Sequence, residues 1–135
     1  MAENILKVKD KKDRYKVTYM AGDDSGFDMM EGALLVLDAM NLPIDWHRAD
    51  LGWCMWEKSN KKFGEGDARC NTVPPETIKS IKDTDATLMA AITSKAGVKG
   101  FKSAILQMRQ LFDLYINMRP AKTLPGIGTP LAENP

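Results

Sequence analysis

The residues most capable of chemistry lie in one short stretch near the C-terminal end. Lys102, Ile105, Leu106 and Arg109 are spaced i, i+3, i+4, i+7 and would share one face of a helix. A cation at each end with two apolar residues between is a wall suited to a small molecule with separated carboxylates. Arg109 is followed ten residues later by Arg119, and a guanidinium can grip a carboxylate through two parallel bonds without losing its charge. By themselves these residues have plain readings as well. A single arginine at a helix end is a solvated charge, Ser103 a capping hydroxyl, and Ile105 and Leu106 core residues. Thr93 and Ser94 line a small-molecule site or satisfy their own loop. Asp23 reads as a turn residue.

The rest of the inventory excludes more than it offers. His47 is the single histidine, and Cys54 and Cys70 are the two cysteines. Their spacing matches no zinc pattern and supports no histidine-based triad. Both cysteines are expected to stay thiols in a reducing compartment. Lys and Arg (19) nearly balance Asp and Glu (18), so neither nucleic acid nor an anionic membrane is implied as a partner. Residues 1–14 form a polar extension without the apolar core of a secretory signal, which sets a cytoplasmic expectation.

Several elements must position these groups. Tyr15 to Met20 is β-prone and ends in the turn-rich loop Ala21 to Gly26. A helix follows, about Phe27 to Met40, with Phe27, Met30, Leu34 and Leu37 as its buried stripe. Asn41 can end it in a left-handed conformation, and Pro43 prevents its continuation. Ile44 to Arg48 is a second strand, and Trp53 to Trp56 a helical turn. Trp46, His47, Trp53 and Trp56 are expected to pack on the first helix or the sheet. Residues 59–71 are polar and Gly-rich and read as an exposed loop. A helix begins at Pro75, where a proline's missing N–H costs nothing. The apolar run Ala86 to Ile92 predicts a strand covered on both faces. A helix over Phe101 to Leu111 and a fourth strand over Leu114 to Met118 complete the pattern. The fold class is therefore α/β: a partial, open, largely parallel sheet with flanking helices over residues 15–120, then a Pro-rich extended tail over 121–135.

Four segments, taken together, resemble the isocitrate/isopropylmalate dehydrogenase family of β-decarboxylating dehydrogenases, in its N-terminal portion only. They are the loop Ala21-Gly22-Asp23-Asp24-Ser25-Gly26, the stretch Pro75 to Ala86, the loop Thr93 to Gly100, and the run Ser103 to Pro120. The last carries most weight, since residue types, their order and the Arg109-to-Arg119 spacing all agree with the family pattern. The first departs from it at Asp24, Ser25 and Phe27.

The resemblance implies oxidation and decarboxylation of a 2-hydroxy polycarboxylic acid, with NAD or NADP and Mg²⁺ or Mn²⁺ in the complete enzyme. It implies that Arg109 and Arg119 hold the departing carboxylate, that Ser103 and Lys102 contact substrate, and that Thr93 and Ser94 lie toward the cofactor. Lys102 and Ser103 are similar to the isocitrate or homoisocitrate pattern rather than to that for 3-isopropylmalate, while Ile105 departs from it. The family's catalytic lysine and tyrosine and its metal-binding aspartates have no counterpart here; Tyr115 is read as a strand residue. The expectation is thus a split or truncated piece, inactive alone, with a complementing C-terminal chain or an oligomer as partner. The alternatives are a non-catalytic regulatory subunit that binds a polycarboxylate and a decayed remnant serving as an interaction module.

Overall fold

A computed structural model describes residues 12–58, 72–95 and 97–122 of the 135. The elements in order are β1 (Tyr15–Met20), α1 (Gly26–Ala39), β2 (Ile44–Arg48), α2 (Trp53–Lys58), α3 (Pro75–Asp83), β3 (Ala86–Met89) and α4 (Ala104–Leu111). The strands form one parallel sheet in the order β2-β1-β3. The α/β class with a parallel sheet and flanking helices is as anticipated. The expected loop at 59–71, Cys70 and most of both terminal segments lie outside the described residues.

Alternation along β1 sorts the two faces of the sheet, because successive side chains point opposite ways. Thr18 and Met20 are fully buried. The Thr18 hydroxyl is shared with Ser80 at 2.8 Å and Thr84 at 2.9 Å, which ties α3 to this face. Met20 joins Leu51, Val73, Ala104 and Met108 in the core, with Ile78, Ile81, Met89 and Phe112 packed around them. Tyr19 meets Trp46 edge-on, and the Trp46 indole N–H donates to Asp38 of α1 at 3.0 Å. These contacts attach α1 to the sheet through β2. Met30 is its buried anchor; Leu34 and Leu37 are half-buried.

The helix boundaries follow from local chemistry. Asn41 adopts φ +48° and its N–H donates to Asp38, which ends α1. Pro75 opens α3, and the Pro74 carbonyl accepts from Thr77 and Ile78. At the end of α4, Asp113 turns left-handed at φ +50° and the Leu114 N–H reaches back to the Arg109 carbonyl at 2.9 Å. That is the six-to-one bond of a Schellman ending, and it throws the following chain off the helix axis.

Four expectations need correction. Leu114 to Met118 forms no strand; it is an exposed segment that leaves α4 through the Asp113 turn and pairs with neither edge of the sheet, since strand-prone composition does not by itself make a ladder. The sheet accordingly has three strands among the described residues, not four. β3 is a shorter edge strand whose Ala86 and Thr87 are exposed, so it is not covered on both faces. Phe27 and His47 are exposed rather than packed inward.

Candidate functional site

The centre of the candidate site is a carboxylate. Asp23, in the loop after β1, is only 1% exposed. Its Oδ2 accepts the N–H of Trp53 at 2.9 Å and of Thr93 at 3.0 Å, and its Oδ1 accepts the N–H of Cys54 at 2.8 Å. A buried carboxylate is tolerable because these donors stabilise its charge, two of them at the start of α2, where the helix dipole is positive. The approach is close. Gly52 takes φ +99°, and a Cβ there would strike the Asp23 carboxylate. Gly22 takes φ +77°, and a Cβ there would overlap the Ala91 carbonyl oxygen. Both glycines are required to bring three chain segments together.

Asp23 therefore holds the loop after β3. The Thr93 hydroxyl donates to Asp24, while Ser94 Oγ donates to Ser103 Oγ at 3.2 Å. Ser103 occupies the N-cap position of α4, with φ −57° and ψ 124° and no capping bond from its own side chain. Its hydroxyl is turned to Ser94 instead. Thus Ser94 and Ser103 lie side by side, while the neighbouring Thr93 side chain is committed to a protein carboxylate.

A second buried network fixes the start of α4. The Thr72 hydroxyl donates to the Lys102 carbonyl at 2.8 Å and accepts from Gln107 Nε2 at 2.5 Å. Gln107 Nε2 also donates to the Lys102 carbonyl at 3.0 Å, and Gln107 Oε1 accepts the Thr72 N–H at 3.4 Å. Thr72 and Gln107 are both buried. Sequence reasoning overlooked both and read Asp23 as a turn residue. The one local signal was an amide on the apolar face of a short helix, where it must find partners.

Lys102 precedes the helix, since α4 begins at Ala104. The helical face anticipated from Lys102 to Arg109 holds only from Ile105 onward. Lys102 is exposed, and Ser103 lies about 9 Å of helix rise from Arg109, six residues on. Arg109 is half-buried in the last turn of α4, where its charge suits the negative end of the dipole. Arg119 lies on the exposed segment beyond the Schellman turn.

Aromatic side chains brace the outer side of this region. Trp53, Trp56 and Phe101 pack with ring centroids 5.0–5.3 Å apart, and the Lys95 ammonium sits 4.0 Å from the Trp53 ring centroid. Burial, aided by the hydrogen bond to Asp23 and by its charge, pushes the half-buried Cys54 thiol up from its ordinary pKa. Among the described residues no cluster of three His, Cys, Asp or Glu could hold a metal ion. No helix among them is long and apolar enough to cross a membrane.

Comparison with known proteins gives this geometry its context. The family model for isocitrate/isopropylmalate dehydrogenase matches residues 16–134. Over 116 residues the chain is 36% identical to the isocitrate/homoisocitrate dehydrogenase of Thermus thermophilus, covering 85% of this chain and 32% of that protein. It is 31% identical over 112 residues to a 3-isopropylmalate dehydrogenase of Methanothermobacter thermautotrophicus, covering 83% and 30%. Among solved structures, the β-decarboxylating dehydrogenase of Thermococcus kodakarensis superposes with a TM-score of 0.62 at 25% identity, over 75% of this chain and 27% of that one. The isocitrate dehydrogenase of Methylococcus capsulatus gives the same score and identity over 75% and 26%. The chain spans about a third of the length of the curated relatives named here. With the family model matching residues 16–134 and relatives at 31–36% identity over more than four fifths of its length, this chain belongs to the isocitrate/isopropylmalate dehydrogenase family.

Proposed function

We propose that the chain is the N-terminal part of an oxidative decarboxylase of a 2-hydroxy polycarboxylic acid, and that it supplies substrate contacts while a complementing polypeptide supplies the reacting groups. The observation that carries this reading is the meeting of Ser94 and Ser103 at the start of α4, with Arg109 at the other end of the same helix. A polycarboxylate lying along α4 would place one carboxylate near Lys102 and Ser103 and another at Arg109, with Arg119 closing on the latter. Isocitrate or homoisocitrate is favoured over 3-isopropylmalate, because a lysine at position 102 offers a charge partner where an isopropyl group would need an apolar one.

The family's NAD(P) and its divalent metal fit this chain unequally. The described residues bring no convergent set of oxygen ligands together, so no metal-dependent step is derived from them. Near the cofactor expectation, the Thr93 hydroxyl and N–H are already engaged by Asp24 and Asp23. Ser94 keeps an exposed position beside Ser103. These residues shape a loop without forming a complete nicotinamide pocket, so cofactor and metal are assigned to the assembled enzyme.

The test is reconstitution. The chain is mixed with the remaining portion of a relative, with isocitrate, NAD or NADP, and Mg²⁺ or Mn²⁺, and nicotinamide reduction is followed by absorbance. Activity is expected only in the mixture, and Arg109→Lys should abolish most of it by losing the bidentate fork. Saturable isocitrate binding by the isolated chain, without activity in any mixture, would instead support a regulatory subunit.

A further inference from the structure

Phe27 opens the exposed end of a cleft on the α1 side of the sheet. With Met30, Glu31 and Leu34 it shares one face of α1, at i, i+3, i+4 and i+7. Across from that face stand Tyr19 and Arg48, which are register partners on β1 and β2. Partners in register direct their side chains to the same side of the sheet, and Tyr19 points away from the side of Thr18 and α3. Together with Ala21 these residues line a cavity of about 260 Å³.

The lining is divided in its chemistry. Met30 is 3% exposed, Ala21 is buried and Leu34 half-buried, so the floor is apolar. Tyr19 makes one wall, its ring edge-on to Trp46 with centroids 6.2 Å apart. One carboxylate and one guanidinium stand among these groups, Glu31 on the helix and Arg48 on the strand. They do not pair with each other. Glu31 has no ion pair among the described residues, and Arg48 reaches Asp50 at 3.4 Å with both side chains well exposed. An exposed pair of that kind is worth little and gives way readily to a ligand. Small-molecule sites combine an apolar lining with a few polar groups that fix orientation.

Two opposite charges held apart over an apolar floor call for a ligand that carries both charges and an apolar body. An anion alone would meet Glu31, and a cation alone Arg48. A neutral apolar molecule would take water from both without replacing it. At roughly 30 Å³ per water the cleft holds about nine waters, the bulk of a free amino acid and too little for a nucleotide. We propose that this cleft between α1 and β2 binds a free α-amino acid with an apolar side chain. Its carboxylate lies on Arg48, which offers the planar fork for it, its ammonium on Glu31, and its side chain on Phe27, Met30 and Leu34. The cleft shares no residue with the site of Ser94, Ser103 and Arg109, so the proposal stands apart from the reading of the chain as part of an enzyme.

The full chain is titrated with L-norleucine and followed by calorimetry and by NMR shifts of its backbone amides. Saturable binding is expected, with shifts gathered at Tyr19, Ala21, Arg48 and the first half of α1. Hexanoate lacks the ammonium and pentylamine the carboxylate; each should bind about tenfold more weakly or worse, as should L-glutamine, which is polar at similar length. Glu31→Gln and Arg48→Gln should each cost about the same factor. Lys79→Gln, on α3 at the other face of the sheet, should leave binding unchanged. All three sites are exposed, so the variants should keep the circular dichroism and melting of the parent. Absence of saturable binding to a chain that melts cooperatively would overturn the proposal. So would hexanoate binding as well as norleucine, which would make the cleft a monocarboxylate site, or affinity indifferent to both variants. Shifts confined to residues 94–109 would move the amino acid to the polycarboxylate site and overturn it equally.

Discussion

Asp23 and Thr93 lie seventy residues apart in the chain, and the Asp23 carboxylate accepts the Thr93 N–H at 3.0 Å. The same carboxylate accepts the N–H groups of Trp53 and Cys54. One side chain thus locks the loop after β1, the start of α2 and the loop after β3.

Replacing Asp23 should therefore be costly. Asp23→Ala would remove the acceptor of three part-buried N–H groups, so a loss of about 2–4 kcal/mol is expected in denaturant unfolding. Asp23→Asn keeps an acceptor oxygen and should lose less. A change below about 1 kcal/mol for the alanine variant would refute its role as a hub.

Two glycines should respond in opposite ways to the same substitution. Gly52→Ala forces a side chain into φ +99° and into the Asp23 carboxylate, and should destabilise by more than about 2 kcal/mol. Gly32→Ala sits in open space within α1 and should stabilise by about 0.5–1 kcal/mol. Thermal melts of the two variants, compared with the parent, give the signs directly.

The Cys54 thiol provides a pH signature. Its folded-state pKa is raised, chiefly by burial and then by the hydrogen bond to Asp23. The folded state therefore favours the protonated thiol. This contribution is fully present below the unfolded thiol value of about 8.5, and is lost as pH rises through the folded value. Stability of the parent should fall more steeply above that pH than stability of Cys54→Ser. Alkylation at neutral pH should be slower at Cys54 than in a denatured control, because the thiolate is the nucleophile. Equal rates would contradict the burial.

The Thr72–Gln107 network should control the start of α4. Gln107→Leu keeps the volume but leaves the Lys102 carbonyl and Thr72 N–H short of partners, at a cost of about 1–3 kcal/mol. Hydrogen exchange should accelerate at residues 103–107 more than in α1. A uniform change across both helices would point to global destabilisation instead.

The sequence by itself determined the local elements and the family. Periodicity placed α1, Asn41 and Pro43 marked its end, Pro75 marked the start of α3, and the order of residues from Ser103 to Pro120 identified the family. These signals are legible because each depends on neighbours within a turn or two. The tertiary structure decided what depends on distant partners. Leu114 to Met118 has the composition of a strand, yet after the Asp113 turn it pairs with neither edge of the sheet and lies exposed. Lys102 has helical spacing to Arg109, but the Thr72–Gln107 network ends the extended chain there and α4 starts two residues later. Asp23 looked like a turn residue because its donors come from Trp53, Cys54 and Thr93, thirty to seventy residues away. Only folding brings those N–H groups to one buried carboxylate, and no local pattern encodes that convergence.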